Sequence, residues 1–292
     1  NEQRKEVPVE LSAAEEYAIK IIAAESGMQH PVGEMPAAVS AAGGGNSALE
    51  LEPGLALGPG REHDPAVTFD SAPTIACATE PALAIPDGLW PAVRAELVAQ
   101  SVIGYPAHAV ESLSLNPADQ AEYLALAGKN LSSWYSLMMA QDDVLAEFRA
   151  AGIPVVVLKG AAAAAHYPQP NSRSMGDIDL IVPPDHFEQA FSLMERLGWD
   201  NDIELEINPR HAGFEKAGCP EIELHRYFST CTNKQQAHFL DQAIYDAIPR
   251  AEWTDVAGFS VPVLPPLENG LVLLAHVNQH LGSGLGLRQI LD

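Results

Sequence analysis

Two aspartates one residue apart, Asp177 and Asp179, are the pair in the sequence best suited to metal chemistry. They open the alternating run DIDLIV (177–182), which is typical of a β-strand. Side chains two residues apart on a strand share one face and lie about 7 Å from each other, so the two carboxylates would repel. A divalent ion such as Mg²⁺ removes that repulsion and prefers hard oxygen ligands. The alternative is a solvated pair of acids at an exposed strand end.

A second feature, upstream of the aspartates, is suited to phosphate. The run IPVVVLKG (153–160) predicts a buried strand that ends in a tight turn at Gly160. The run AAAAAHY (161–167) that follows has high helix propensity. A turn that opens a helix presents unpaired backbone N–H groups, which bind anions.

Further charged residues extend the pattern on both sides of Asp177. The run EIELHRYF (221–228) predicts another strand, on which Glu221 or Glu223 completes a cluster of three carboxylates. Arg173 lies four residues before Asp177 in a loop, where its guanidinium can contact phosphate.

These motifs occur in the order LKG, R, GDIDLIV and ELH, and together they resemble the polymerase-β-type nucleotidyltransferase superfamily. More narrowly, they resemble the bacterial uncharacterised nucleotidyltransferase family, over roughly residues 117–292. The resemblance implies that Asp177 and Asp179 hold two Mg²⁺ ions, with Glu223 as the third carboxylate. It also implies that Gly160 lines the turn that binds the triphosphate of an NTP, of which ATP is the expected one.

The turn departs from the superfamily pattern at one position. The superfamily usually places Gly-Ser or Ser after the glycine, and that hydroxyl holds a phosphate, whereas Ala161 follows Gly160 here. Lys159, Arg173 and Ser174 are the candidates to replace the missing contact.

The histidines offer weaker signals. His225 lies two residues after Glu223 and so shares its face of the strand, where it would contact a phosphate, orient a ligand or simply be buried with a partner. His276 and His280 have the i, i+4 spacing of a zinc pair. Their segment reads HVNQH and lacks the Glu of HExxH, so packing or a helix face near the nucleotide is favoured over zinc.

The reaction that the resemblance implies is transfer of a nucleoside monophosphate from an NTP to an acceptor. The acceptor is a protein side chain, a small molecule or an RNA end, and Asp179 or Glu223 would take its proton. The alternative is a catalytically degenerate domain that serves in binding or regulation. The absence of the phosphate-binding hydroxyl at Ala161 favours this alternative, whereas the intact set of two aspartates and one glutamate disfavours it. A metal-dependent glycosyltransferase would need a longer α/β half before Asp177 than the helical segment 89–150 provides.

The elements that must position these residues alternate between helix and strand. The pair Asn116-Pro117 begins a long helix that Ala151-Gly152 ends. The further predictions are strands at 153–160, 177–182, 202–207 and 221–228, and helices at 161–167, 183–199 and 265–281. This order predicts an α/β (α+β) fold with a small mixed sheet flanked by helices.

The chain divides in composition near residue 88. Residues 1–88 are rich in Ala, Gly, Pro and Glu, which predicts an acidic, largely flexible arm. One candidate helix in it begins at Ser12 and repeats apolar residues at helical spacing. It would dock on a protein partner, through residues 1–26, or on the main domain; the alternative is a marginal helix on a mostly disordered arm. Residues 89–292 are expected to hold a helical segment and the nucleotidyltransferase-like domain, and the resemblance implies that this domain is truncated at residue 292 or has a short C-terminal part.

Composition argues against two classes of partner. The 292 residues contain 16 Lys and Arg against 39 Asp and Glu, a net charge of −23. Such a chain is disfavoured as a partner for nucleic acid or an anionic membrane unless it has a local basic patch. It contains no apolar run long enough for a transmembrane helix. Its three cysteines, Cys77, Cys219 and Cys231, form no CxxC motif, which favours a reducing, cytoplasmic location.

Overall fold

A computed structural model of the chain describes residues 11–25, 84–86, 88–107, 113–201, 210–281 and 284–292. The strand predicted at 202–207 and most of the predicted arm lie outside the described residues.

The described residues form eight α-helices and seven strands. The helices are α1 (Ala13–Glu25), α2 (Trp90–Ala99), α3 (Pro117–Ala150), α4 (Gly160–Ala164), α5 (Phe187–Arg196), α6 (Lys234–Ala247), α7 (Pro266–His280) and α8 (Leu287–Leu291). The strands are β1 (Val156–Leu158), β2 (Ile178–Ile181), β3 (Asp200–Asn201), β4 (His211–Glu215), β5 (Ile222–His225), β6 (Glu252–Val256) and β7 (Phe259–Val263). No described helix is both long enough and apolar enough to cross a membrane.

Five strands form one mixed sheet in the order β1-β2-β5-β4-β3, and β6 and β7 form a separate hairpin. In the five-stranded sheet β2 and β5 are parallel, while β1–β2, β5–β4 and β4–β3 are antiparallel. The predicted fold class, a small mixed sheet flanked by helices, is confirmed.

Helix α3 has the bounds that its terminal residues predict. The side chain of Asn116 accepts hydrogen bonds from the amides of Ala118 and Asp119, both at 3.0 Å, and Pro117 occupies the first turn. Gly152 has a φ of +67°, the left-handed conformation that ends helices. Both ends are therefore set by local chemistry.

The sheet buries apolar residues on both faces. One face packs against α3, α5 and the hairpin, in a core that includes Trp134, Phe148 and Leu180. On the other face, Leu158 and Ile181 pack with residues of α6 and α7. Because side chains alternate along a strand, Asp179 lies on the same face as Ile181.

Helix α1 packs on the remainder of the described chain. Ser12 and Glu15 form a reciprocal cap, with the Ser12 amide donating to the Glu15 carboxylate at 2.7 Å and the Glu15 amide donating to the Ser12 hydroxyl at 3.3 Å. Its apolar face is buried in a second core: Ile21 lies in one cluster with Trp90 and Leu97 of α2. Of the two docking sites that the sequence leaves open for this helix, the main domain is the one observed.

Replacement of Ile21 by Ala tests this docking. The side chain is 1% exposed, so its truncation should leave a cavity and lower the free energy of unfolding by about 2–5 kcal/mol, measured by urea denaturation. Leu11, which is 40% exposed, is the matched control, and its replacement by Ala should change stability little. Equal, small effects of both substitutions would contradict the docking of α1.

Candidate active site

Parallel pairing of β2 with β5 brings the predicted carboxylates together. Asp179 is directly opposite Glu223 in the register, and Asp177 immediately precedes β2. Each of the three residues offers a carboxylate oxygen, and these oxygens lie within 4.8 Å of one another. Glu221, the alternative third acid, precedes β5 and is not a member of this group.

Two cationic or proton-donating groups hold Asp179. The Lys159 ammonium lies 2.7 Å from Asp179 Oδ1, and His225 Nε2 lies 2.9 Å from the same oxygen. The aspartate side chain is only 2% exposed. Burial by itself raises the pKa of Asp179, but the hydrogen bond from His225 and the charge of Lys159 outweigh it and hold the pKa below its usual range.

The other two carboxylates have opposite shifts. Burial raises the pKa of Asp177, and the negative charges of Asp179 and Glu223 raise it further. The hydrogen bond from His225 lowers the pKa of Glu223; the atoms concerned, His225 Nε2 and Glu223 Oε2, are 3.2 Å apart. Since His225 is bonded to two carboxylates, its own pKa is raised despite complete burial, which acts in the opposite direction.

Lys159 owes its position to an unusual backbone conformation. Leu158 of β1 pairs with Asp179, so the next residue, Lys159, leaves the strand beside that carboxylate. Lys159 has φ +51° and ψ −132°, and Gly160 has φ +29°. A non-glycine residue in this region costs about 1–3 kcal/mol, a strain that is typical of functional turns. Lys159, one of the candidate phosphate contacts, is therefore directed towards the carboxylates, as the absence of a hydroxyl after Gly160 favours.

Gly160 begins a helix shorter than the predicted one. Helix α4 ends at Ala164, and Ala161 through Ala164 are buried. A Cβ atom at Gly160 would meet only the Asp177 carbonyl oxygen at 3.8 Å and Met175 Sδ at 3.9 Å, which are ordinary contacts. The glycine is therefore favoured by its φ angle and not by crowding from the protein.

Arg173 and Ser174, two of the candidate phosphate contacts, each bond to another side chain. The Arg173 guanidinium donates from Nε and Nη2 to the two carboxylate oxygens of Asp292, at 2.7 and 2.6 Å. Both side chains in this ion pair are 2% exposed. The Ser174 hydroxyl donates to Asn130 Oδ1 of α3 at 2.7 Å. Both groups thus bond to other parts of the protein, because the loop folds against α3 and α8.

Sequence reasoning misses two residues at the site. Arg288 of α8 donates to the Ser174 carbonyl oxygen at 3.2 Å, and its charge lowers the pKa of Asp177. His211 begins β4 opposite His225, and its Nε2 lies 3.6 Å from Glu223 Oε1. Arg288 carries no motif that would have identified it. His211 could have been found only from the pairing of β4 with β5.

The pair His276 and His280 lies on α7, with 3.1 Å between the two Nε2 atoms. Burial, together with the charge of Lys159, lowers the pKa of His276 to about 4. Among the described residues, neither histidine belongs to a group of three potential ligands at metal-binding distance. The preference for packing or a helix face near the nucleotide over zinc therefore stays a prediction.

Comparison with known protein families gives a match over residues 87–292, to the family described as uncharacterised nucleotidyltransferase. The chain belongs to this family. The matched range contains the LKG turn, the paired aspartates and the ELH strand, so this enzyme is a nucleotidyltransferase.

Two further comparisons add nothing to the family assignment. The solution structure of the antibiotic-resistance factor ANT(2'')-Ia is similar, with 15% sequence identity and a TM-score of 0.38, over 56% of this chain and 80% of that one. No curated protein matches the chain.

Replacement of Asp292 tests whether its buried ion pair with Arg173 stabilises the protein. Asp292→Asn leaves a buried guanidinium without its counter-charge, so the free energy of unfolding should fall by about 3–5 kcal/mol in urea denaturation. The exposed pair of Arg226 with Glu188 is the control, and Glu188→Gln should have little effect. A stability unchanged by Asp292→Asn would mean that Arg173 does not depend on this carboxylate.

Proposed function

We propose that this enzyme transfers a nucleoside monophosphate from an NTP to an acceptor in a Mg²⁺-dependent reaction, with Asp177, Asp179 and Glu223 as the metal ligands. The observation that carries the proposal is the convergence of three carboxylates from two adjacent parallel strands, with oxygens within 4.8 Å of one another. The family membership supplies nucleotidyl transfer as the reaction class.

The donor set fits a hard divalent ion. All three groups offer oxygen, and Lys159 offsets only one of three negative charges. Burial raises the pKa of Asp177, and this excess of negative charge raises it further. Divalent ions held there would lower the pKa of the acceptor hydroxyl and stabilise the pyrophosphate that leaves.

The residues of the chain then have distinct roles. Glu223 is better suited than Asp179 to receive the acceptor proton, because it is 22% exposed whereas Asp179 is buried and already accepts two hydrogen bonds. His225 bonds to both carboxylates and so keeps them aligned. Lys159 is the candidate phosphate contact: with cations on the carboxylates, its ammonium would bond to the triphosphate instead of Asp179.

The acceptor is a hydroxyl or phosphate of a protein, a small molecule or an RNA end. The net charge of −23 disfavours RNA among these.

ATP is the first nucleotide to test. Incubation of a cell lysate with labelled ATP, Mg²⁺ and the enzyme should release pyrophosphate and produce one labelled product, whose added mass is that of the nucleoside monophosphate less one water. The Glu223→Gln variant should produce none; labelling that is equal with this variant would refute the proposal.

A matched pair of variants tests the carboxylates. Glu223→Gln removes a proposed ligand, whereas Glu221→Gln removes a nearby acid outside the group. Titration calorimetry with Mg²⁺ and a non-hydrolysable ATP analogue should give at least tenfold weaker Mg²⁺-dependent binding for Glu223→Gln, and wild-type binding for Glu221→Gln. An equal loss of Mg²⁺-dependent binding in the two glutamate variants would contradict a specific role of Glu223, because it would follow from the loss of any nearby negative charge.

Thermal stability of Asp177→Asn should equal or exceed that of the wild type, because like charges are removed.

Replacement of Lys159 by Ala should affect nucleotide affinity and Mg²⁺ affinity differently, which tests its proposed role. Lys159→Ala should weaken binding of the ATP analogue by about 1–3 kcal/mol, as a lost charge-assisted contact. Mg²⁺ affinity measured without nucleotide should stay equal or rise, since the ammonium no longer competes for Asp179. Lys216, which donates to the Leu197 carbonyl oxygen, provides the control, and Lys216→Ala should leave both affinities unchanged. Unchanged nucleotide affinity in Lys159→Ala would mean that the turn is structural only.

A further inference from the structure

A second group of potential ligands lies beside the three carboxylates, and it contains nitrogen. His211, Glu223 and His225 each offer one donor atom, and these atoms lie within 4.8 Å of one another. His211 and His225 are opposite each other in the register of β4 and β5, and their ring centroids are 5.1 Å apart. Strand alternation puts both imidazoles and Glu223 on the same face of the sheet.

The spacing of the donors suits a metal ion. The distance from Glu223 Oε2 to His225 Nε2 is 3.2 Å, and the distance from Glu223 Oε1 to His211 Nε2 is 3.6 Å. Ligands at about 2.1 Å from one ion are about 3.0–3.4 Å apart for bond angles between 90° and 109°. The two distances from the Glu223 carboxylate to an imidazole nitrogen are therefore close to those between two ligands of one ion, and the three donor atoms lie within 4.8 Å of one another.

The surroundings hold the two imidazoles in place. The side chains of His211 and His225 are 8% and 2% exposed, so neither is a mobile surface group. Each is borne by a paired strand, and strands position ligands more exactly than loops do.

We propose that His211, Glu223 and His225 form a binding site for a divalent transition-metal ion of the zinc class, adjacent to the carboxylate site and distinct from it in ligand type. Imidazole nitrogen suits Zn²⁺ and Co²⁺, whereas Mg²⁺ prefers oxygen alone. Two histidines and one carboxylate leave coordination positions open for water or a substrate group. Glu223 belongs to both groups, and a metal ion on His225 Nε2 would displace the proton that this nitrogen shares with Asp179 and Glu223. The proposal goes beyond the proposed reaction in the two imidazole ligands, which need no nucleotide to bind metal.

Titration with Co²⁺ in excess Mg²⁺ tests the site, because Co²⁺ bound to nitrogen gives a visible absorption band that Mg²⁺ lacks. The wild type should bind Co²⁺, and His211→Ala should weaken this binding at least tenfold, the effect of losing one of three ligands. Mg²⁺ affinity measured without Co²⁺ should be unchanged in His211→Ala. His225→Gln, if folded by circular dichroism, should show the same loss of Co²⁺ binding; if it is unfolded, His211→Ala alone decides.

Two control variants define the contrary results. His238 is exposed on α6, and His276 belongs to the other histidine pair, so neither His238→Ala nor His276→Ala should alter Co²⁺ binding. Absence of Co²⁺ binding in the wild type, equal affinity in His211→Ala, or a loss in His276→Ala in place of His211→Ala would each overturn the proposal. Since Mg²⁺ and ATP-analogue binding are measured separately on the same proteins, failure of this site leaves the proposed reaction unaffected.

Discussion

The parallel pairing of β2 with β5 is the constraint on which the candidate site depends. It places Asp179 beside Glu223 on one face of the sheet, with Asp177 immediately before the strand that bears Asp179. Carboxylates this close are costly in a buried position unless cations or hydrogen-bond donors compensate them. The surrounding groups are arranged accordingly: Lys159 and His225 both bond to Asp179.

This compensation has its own cost in backbone strain. Lys159 adopts a left-handed conformation that a side chain with a Cβ atom disfavours. Its ammonium then lies where the site has an excess of negative charge, and this ion pair favours the strained turn. The strained backbone at Lys159, after β1, is thus coupled to the ion pair that its side chain makes with Asp179 of β2.

The loop before β2 is stabilised by residues distant in the chain. Arg173 pairs with Asp292, 119 residues later, and Ser174 bonds to Asn130, 44 residues earlier. These contacts join the loop that precedes Asp177 to α8 and α3. Arg173 therefore supports the loop that leads into the strand bearing the aspartates, and the positive charges that lower the pKa of Asp177 are those of Lys159 and, to a smaller extent, Arg288.

Local sequence determined much of this protein: the bounds of α3, through its Asn116 cap and Gly152, and the strand character of the runs that bear Asp179 and Glu223. Capping and strand alternation act over a few residues, so they can be predicted without a fold. The strand β4, which begins at His211, was not predicted, because HAGFE has no clear alternation of apolar and polar residues. Only the tertiary structure decided that His211 joins Glu223 and that Arg173 pairs with Asp292, since both depend on contacts between segments far apart in the chain. Local spacing carries no information about such partners, because the chain reaches them through the packing of whole strands and helices.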